Sequence, residues 1–246
     1  MKAFILAAGL GKRLRPLTDT VPKALVKVNG IPLLEILLGK LKSSGFDEIV
    51  INIHHMGEQI IKFLKDNHSF GLKIEISDES DRLLGTGGAL KKAASFFEHE
   101  KTFLVHNVDV ISDIDLTKLI NYHSLKNHLA TLVVRKRESN RLLLFDKELQ
   151  LCGWKDNKKN QVRISKENIP VQKELAFNGI QVLNPEIFRF FPGREVFSLI
   201  DLYLNASVTE KITGYEDNES FWIDAGKEET LKEAAEILRL RDNDPV

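Results

Sequence analysis

The chain has 246 residues, and its 35 basic residues balance 35 acidic ones, so the formal net charge is zero. This balance gives no support for a nucleic-acid partner. The chain has a single cysteine, Cys152, which excludes an intramolecular disulfide and favours a reducing compartment. The length suits a single domain, residues 1–246. The first apolar run, residues 3–8, is too short for a secretory signal, and no stretch approaches the roughly 20 apolar residues of a membrane span. We therefore expect a cytoplasmic protein without a membrane partner.

The most informative segment follows the first predicted strand, Phe4–Ala7. The apolar run ends there, and the chain enters a loop with two glycines and several cations, followed closely by Lys23. Glycines let backbone amides approach an anion closely, and Lys12, Arg13 and Lys23 can neutralise several phosphate charges. The segment therefore predicts a site for a nucleoside triphosphate.

Two common phosphate-binding motifs do not fit this loop. A P-loop needs a glycine five residues before its Gly-Lys pair and Ser or Thr after it. Around Gly11-Lys12 those positions hold Leu6 and Arg13. The dinucleotide fingerprint needs a third glycine so that helix and strand pack closely, and Leu14 stands there. A dinucleotide oxidoreductase is therefore disfavoured.

Short apolar runs and helical patterns alternate through residues 1–128, which predicts a Rossmann-like, mixed and mainly parallel sheet flanked by helices. The further predicted strands are Glu48–Ile53, Leu72–Ile76 and Thr102–Val105. The predicted helices are Pro32–Ser44 before Gly45, Gly57–Asn67 with Ile60, Ile61 and Leu64 facing inward, Gly87–Phe97, and Asp115–Leu125 with Asp115 as N-cap. We expect this half to bind the nucleotide.

The second half, residues 129–246, has a different pattern. Three apolar runs follow one another without helical segments between them, which predicts antiparallel strands that extend the sheet. These runs are Ala130–Val134, Leu142–Phe145 and Leu149–Trp154. Residues 155–173 are polar and poorly periodic, which predicts a surface loop or lid. The rest of the pattern predicts a strand at Ala176–Leu183 and helices at Phe197–Ala206 and Glu228–Arg239, the last with Leu231, Ala234, Ala235 and Leu238 on one face.

Two aspartates stand directly after apolar runs. Ligands of open α/β sheets bind at the carboxyl ends of the strands, where Asp109 is expected after the strand Thr102–Val105. Its position favours a Mg²⁺ ligand over a turn residue, because Asp113 and Asp115 are close enough to serve the turn. For Asp224, position alone supports a metal ligand and an N-cap of the next helix equally.

Three separated segments resemble one family. Residues Leu6–Thr18 with Pro22-Lys23, then Asn178–Ile180, then Trp222–Gly226 resemble the signature segments of the sugar-1-phosphate nucleotidyltransferases. The resemblance covers nearly the whole chain and is strongest to short, single-domain members without a C-terminal β-helix. It implies the nucleotide-diphospho-sugar transferase fold and transfer of a nucleoside monophosphate from an NTP to a sugar 1-phosphate, with release of pyrophosphate.

The resemblance also implies roles for individual residues. Arg13, Lys23 and Asp109 would be catalytic, and Asp109 and Asp224 would bind Mg²⁺. Asn178 and Gly179 would bind the sugar. The nucleotide would be bound by Ala8, Gly9, Gly11, Lys12, Arg13, Lys23, Gly87, Gly88 and Asn107.

The resemblance specifies the reaction more closely than it specifies the nucleotide base or the sugar. The resemblance favours UTP, with N-acetylmuramate 1-phosphate or a related hexose 1-phosphate as acceptor, and the alternative is GTP with mannose 1-phosphate. The glycine-rich residues 85–88 leave room for a flat base against the backbone, although a simple turn with Thr86 as N-cap is the other interpretation.

Two features depart from the family pattern. Val108 stands before Asp109 where relatives usually have glycine, and its bulk is expected to narrow the pocket. Many relatives have a Glu-Lys-Pro segment whose lysine contacts the acceptor phosphate, and this chain has none. Lys166 and Lys173 are candidate replacements, although solvated surface lysines are the simpler interpretation. These departures keep open a homologue that binds nucleotide sugars without catalysis.

Overall fold

The computed structural model describes residues 1–126, 128–167 and 169–243, and their strands form a ten-stranded mixed sheet and two small two-stranded sheets. The strands are β1 (Lys2–Leu6), β2 (Lys27–Val28), β3 (Ile31–Pro32), β4 (Glu48–Ile53), β5 (Lys73–Asp78), β6 (Phe103–Asn107), β7 (Val110–Ser112), β8 (Ala130–Arg135), β9 (Arg141–Phe145), β10 (Leu151–Asp156), β11 (Gln161–Ile164), β12 (Lys173–Leu183), β13 (Ile212–Glu216) and β14 (Trp222–Asp224). The α-helices are α1 (Leu33–Ser43), α2 (Gly57–Asp66), α3 (Gly85–Lys92), α4 (Leu116–Lys126), α5 (Leu199–Ser207) and α6 (Glu228–Asn243).

The large sheet joins a parallel part to an antiparallel part. Its order is β11-β10-β9-β12-β6-β1-β4-β5, and β8 pairs with both β12 and β13. Strands β5, β4, β1 and β6 run parallel, whereas β12 is antiparallel to β6 and β9. This topology confirms the predicted fold class, a mixed α/β sheet whose first half is parallel.

Helices cover both faces of the sheet. Successive side chains of a strand point to opposite faces, so neighbouring residues of one strand pack against different helices. On β1, Phe4 packs in the same cluster as Leu90 of α3 and Leu202 of α5. Its neighbour Ile5 packs with Leu38 of α1 in a separate cluster. The apolar run that starts the chain is thus a central strand buried on both sides, as parallel strands commonly are.

Most predicted elements of the first half are confirmed with nearly the same bounds. The Asp115 N-cap is also confirmed, since the Lys118 amide donates to its Oδ1 at 2.9 Å. Two details are wrong. Ile61 of α2 is exposed while Ile60 and Leu64 are buried. The predicted helix Gly87–Phe97 is interrupted, since α3 ends at Lys92 and a separate 3₁₀ turn, Ala94–Phe96, follows.

The second half differs more from prediction. Strands β9 and β10 pair antiparallel as expected, but β8 lies between β12 and β13 and not beside β9. The lid predicted for residues 155–173 is wrong in part, because residues 161–164 form β11, an edge strand on β10. The apolar side chains of β11 alternate with polar ones and are exposed, so the strand has no buried apolar face that would mark it in the sequence. The closing helix is confirmed, with the predicted apolar face packed in a small third cluster.

None of the described helices is both long enough and apolar enough to cross a membrane. The assignment of nucleotide and sugar to the two halves of the chain stays a prediction.

Candidate active site

The cationic loop after β1 is shaped by one glycine and one buried leucine. Gly11 has a φ of 62°, a left-handed conformation that favours glycine, and an added Cβ there would lie 2.7 Å from Thr18 Cγ2. The Thr18 hydroxyl donates to the Gly11 carbonyl at 2.9 Å. Leu14 is buried in the third cluster, whereas Lys12 and Arg13 are exposed. The loop therefore presents its cations on one side while Leu14 anchors the other.

A small sheet brings the two candidate carboxylates together. Strand β14 pairs antiparallel with β7, so that Asp224 lies opposite Val110. The Ala225 amide also donates to the backbone carbonyl of Asp109 at 2.8 Å. Two residues separated by more than a hundred positions are thereby held beside each other through backbone pairing.

Each carboxylate has a cation from the N-terminal loop beside it. The Lys23 ammonium forms an ion pair with Asp109 Oδ2, and both side chains are only 12% exposed. Arg13 Nη2 lies 3.7 Å from Asp224 Oδ2, and the Arg13 side chain is 56% exposed. The structure thus brings together the predicted residues Arg13, Lys23, Asp109 and Asp224.

Gly226 is a site residue that sequence reasoning did not single out. An added Cβ at this position would lie 2.5 Å from Asp224 Oδ1, 2.8 Å from Arg13 Nη2 and 3.0 Å from Asp109 Oδ2. Both carboxylates and one cation therefore converge on the small space that the missing side chain leaves open. Its amide also donates to Asp224 Oδ1 at 2.8 Å, which orients that carboxylate.

The electrostatics of this space suit a bound cation. Burial raises the pKa of Asp224 above its usual value, and the negative charge of Asp109 raises it further. A divalent cation between the two carboxylates would relieve that repulsion. In the described part of the chain no group of three or more His, Cys, Asp or Glu side chains is placed to hold a metal ion. Two carboxylates fit Mg²⁺, which commonly takes its remaining ligands from phosphates and water.

The candidate sugar-side residues lie at a bulge in β12. The pairing of β12 with β8 shifts register between Phe177 and Gln181, and Gly179 has a φ of 78°. An added Cβ on Gly179 would lie 2.7 Å from Asn107 Nδ2. The bulge therefore packs against the residue that precedes Val108-Asp109. Asn178 is buried, and neither polar atom of its side chain has a partner in the described structure. Its predicted role in sugar binding stays a prediction.

A buried amide that sequence reasoning missed supports the start of the cationic loop. Asn52, at the end of β4, accepts hydrogen bonds from the amides of Ala7 at 2.7 Å and Ala8 at 3.3 Å. Its Nδ2 donates to Glu79 at 2.7 Å, and Glu79 in turn accepts from the Leu84 amide at 3.0 Å. This chain of contacts joins the loop after β1 to the segment before α3. The available signal was an asparagine within the apolar run Glu48–Ile53.

The glycines of α3 have packing partners of their own. The amides of Gly87 and Gly88 both donate to the Phe197 carbonyl, at 2.9 and 3.2 Å, and an added Cβ on either would overlap residues 195–198. The Thr86 hydroxyl accepts from the Leu199 amide at 2.9 Å, so it caps α5 and not its own helix. The assignment of Gly87 and Gly88 to base recognition stays a prediction.

A cavity of about 1640 Å³ opens beside the carboxylates, and Arg13 and Asp224 line one side of it. This is larger than the ~300–1,000 Å³ typical of a drug-sized ligand site, so two substrates can fit side by side. The cavity is also lined by Lys136, Arg137, Arg141, Trp154, Phe177 and Trp222.

The model of the nucleotidyl transferase family matches residues 2–240 of this chain. The chain belongs to that family. It is 31% identical over 240 residues to a UTP–glucose-1-phosphate uridylyltransferase from Synechocystis sp., covering 92% of this chain but only 60% of that protein. It is 34% identical over 237 residues to an N-acetylmuramate alpha-1-phosphate uridylyltransferase from Neisseria meningitidis serogroup B, covering 95% of this chain and 96% of the relative.

A solved UDP-glucose pyrophosphorylase with UDP-glucose bound has the same fold as this chain. The two superimpose with a TM-score of 0.78 at 17% identity, and the match covers 98% of each chain. At this identity the likeness concerns the fold alone. The predicted resemblance to sugar-1-phosphate nucleotidyltransferases is confirmed by the family match and by the curated relatives.

The structure shows the surroundings of the residues at which the sequence departs from the family pattern. Val108 is 2% exposed and packs in the core, so the expectation that it narrows the pocket is wrong. Lys173 forms an ion pair with Glu216 at 2.6 Å, and neither it nor Lys166 lines the cavity. Burial raises the pKa of the Cys152 thiol, which agrees with a structural role.

Replacing Asn52 by leucine is expected to destabilise the folded chain by at least about 3 kcal/mol. The change leaves two buried amides and the Glu79 carboxylate without their partner, and each lost partner of a buried polar group costs about 1–3 kcal/mol. Urea unfolding measures the effect. Asn67→Leu is the control, because Asn67 is exposed and its amide group serves one helix-end carbonyl. Equal destabilisation by both variants would contradict a special role for Asn52.

Proposed function

We propose that this chain transfers a nucleoside monophosphate from an NTP to a sugar 1-phosphate and releases pyrophosphate. One observation carries the proposal. Two carboxylates and Arg13, from three separated segments, converge on the space beside Gly226, and Lys23 is paired with one of these carboxylates, at the edge of a cavity large enough for both substrates. A protein that only binds a nucleotide does not need two carboxylates facing a polyanion.

The chemistry needs no protein nucleophile. The phosphate oxygen of a sugar 1-phosphate is already ionised near neutral pH, so it attacks the α-phosphorus directly and pyrophosphate leaves. Catalysis then rests on positioning and on charge stabilisation, as in other phosphoryl transfers. The exposed Arg13 would hold the leaving pyrophosphate, and the less exposed Lys23 would neutralise the α-phosphate.

Asp109 and Asp224 would hold Mg²⁺ in this proposal. The ion would supply charge neutralisation and orientation of the phosphates. The rest of the site is provided by the chain: Gly226 leaves the space open, and its amide orients Asp224. Asn52 fixes the backbone of Ala7 and Ala8, from which the nucleotide-binding loop starts.

Two of the relatives bear on the substrate. The Synechocystis relative is a UTP–glucose-1-phosphate uridylyltransferase, and the Neisseria relative is an N-acetylmuramate alpha-1-phosphate uridylyltransferase. We therefore propose UTP as donor and N-acetylmuramate 1-phosphate or a related hexose 1-phosphate as acceptor, in the cytoplasm where such substrates occur. Residues 1–128 would hold the nucleotide and residues 129–246 the sugar. Apart from Arg13, the residues that line the cavity all belong to the second half, which supports the assignment of the sugar to that half.

Pyrophosphate release tests the proposal. The purified chain with Mg²⁺ is incubated with each of five nucleoside triphosphates, crossed with N-acetylmuramate, glucose and mannose 1-phosphates. Release is expected with UTP and at least one acceptor, and the Asp109→Asn variant serves as the blank. Preference for GTP with mannose 1-phosphate would replace the substrate assignment. Nucleotide binding without release in any combination would overturn the reaction and favour a non-catalytic binding protein.

A further inference from the structure

An arginine stacked on a tryptophan forms part of the cavity wall beside the carboxylates. The Arg137 guanidinium carbon lies 4.4 Å from the centre of the Trp222 ring, and Trp222 is two residues from Asp224 on the same strand, β14. Arg137, Trp222 and Asp224 all line the cavity. Stacking on an aromatic ring restrains the guanidinium and stabilises its charge. This cation is therefore fixed on the wall that carries the second carboxylate.

The same pair is fastened to the bulge in β12. Arg137 Nη2 donates to the Phe177 carbonyl at 3.0 Å, and Trp222 Nε1 donates to the Asn178 carbonyl at 2.8 Å. Two consecutive carbonyls of the candidate sugar-side segment are thus held by the stacked pair. The position of Arg137 is coupled to the segment that the acceptor sugar would contact.

Arg137 lacks a counter-ion within the described structure. Its hydrogen bonds go to two backbone carbonyls, those of Phe177 and Glu138, and its Nε is buried without a partner. In contrast, Arg141 in the same cavity is paired with Asp156 at 3.2 Å. Partial burial of an uncompensated charge is costly, and it lowers the pKa of Arg137 while the charge of Asp224 raises it. An anionic ligand would therefore stabilise the partly buried Arg137 guanidinium.

We propose that Arg137, held on Trp222, binds the phosphate of the acceptor sugar 1-phosphate. This inference rests on the proposed function and identifies the cation that takes the place of the missing Glu-Lys-Pro lysine. Arg137 stacks on Trp222, two residues from Asp224 where the proposed reaction would occur, whereas Lys173 is paired elsewhere and lines no part of the cavity. A planar guanidinium can form two parallel hydrogen bonds to one phosphate, so it would fix the orientation of the nucleophile as well as its charge.

Arg137→Gln is expected to raise KM for the sugar 1-phosphate by about 10- to 100-fold, because hydrogen bonds to a charged group are worth that much in affinity. KM for the NTP is expected to stay within about two-fold. Lys136→Gln is the matched control, since this exposed neighbour lines the same cavity and loses the same charge. It is expected to leave both constants nearly unchanged. Equal changes in both KM values, or an unchanged KM for the sugar 1-phosphate, would overturn the proposal.

A binding measurement separates this inference from the proposed reaction. The chain has two tryptophans, and Trp154→Phe leaves Trp222, whose ring stacks against Arg137, as the only tryptophan, so that selective excitation reports on this position. Titration with the best acceptor, or with glucose 1-phosphate if no turnover is found, is expected to change its fluorescence saturably. Arg137→Gln should weaken that binding at least ten-fold, and Arg137→Lys should restore part of it. Absence of pyrophosphate release overturns the proposed function alone, whereas identical titrations with and without Arg137 overturn this inference.

Discussion

Replacing Asp109 by asparagine is expected to reduce kcat about 10³-fold while the chain still folds. The change removes a carboxylate that faces both Lys23 and the space beside Gly226. Loss of a metal ligand forfeits several kcal/mol of transition-state charge stabilisation, and about 4 kcal/mol corresponds to 10³-fold in rate. The backbone carbonyl of Asp109 keeps its bond from the Ala225 amide, so β7 and β14 should remain paired. Pyrophosphate release and thermal unfolding by circular dichroism measure the two effects.

Two further variants make this result interpretable. Asp115→Asn is the control, because Asn and Asp cap a helix equally well and Asp115 caps α4 on the surface. It should keep full activity. Asp224→Asn should lose activity and gain thermal stability near neutral pH. Burial and Asp109 raise the pKa of Asp224, which means that its charged form is disfavoured in the folded state. Near-normal turnover of folded Asp109→Asn would contradict the assignment of this residue.

The parallel half of the fold could be predicted because its elements obey strong local rules. Strand β4 is a mostly apolar run that contains one asparagine, Asn52; such a run is typical of a parallel strand buried on both faces, and its predicted bounds match. The helix α1 combines regular apolar spacing with Gly45 after its end. Strand β11 escaped prediction because it is a short edge strand whose apolar side chains face solvent. Partner choice escaped as well, since no local pattern places β8 between β12 and β13.

For the candidate site, sequence indicates which residues are unusual but not what surrounds them. Asp109 and Asp224 stand out as carboxylates after apolar runs, and the structure places them together. Arg137 lies in a charged stretch after β8 where no pattern distinguishes it from Lys136. Only the stacking on Trp222 and the buried, unpartnered Nε distinguish Arg137 from its exposed neighbour. For Val108 the sequence overstated a role in the site. We expected its side chain to narrow the pocket because it precedes Asp109, but the side chain packs in the core.

The site is assembled by backbone pairing, and this has a consequence for its sensitivity to mutation. Pairing of β14 with β7 fixes the backbone beside the two aspartates, and the Gly226 amide orients the Asp224 carboxylate, whereas the end of Arg13 is placed largely by the space available to it. Arg13 is more than half exposed and 3.7 Å from its partner, so no strong contact holds it. Positions that control this space should therefore affect activity more than stability.

Gly226→Ala is expected to reduce kcat/KM about 10²-fold with little change in thermal stability. The added methyl group would lie 2.5 Å from Asp224 Oδ1 and 2.8 Å from Arg13 Nη2, so both side-chain ends must move. A misplacement of about 1 Å at a reacting centre can cost 10²-fold in rate. The fold should tolerate the change, because the overlapping atoms are side-chain termini. Pyrophosphate release at several substrate concentrations measures the first effect, and thermal unfolding the second.

Gly193→Ala is the matched control for this change. Gly193 also lies outside the helices and strands, but an added Cβ there meets no atom within 4 Å, so activity and stability should both be retained. If Gly226→Ala lowers the melting temperature strongly, the glycine serves the fold, and its place beside the carboxylates is incidental. If activity is unchanged, the space beside Asp109 and Asp224 holds neither metal nor phosphate. Selective loss of activity, in contrast, locates the reacting groups at the point on which both carboxylates and Arg13 converge.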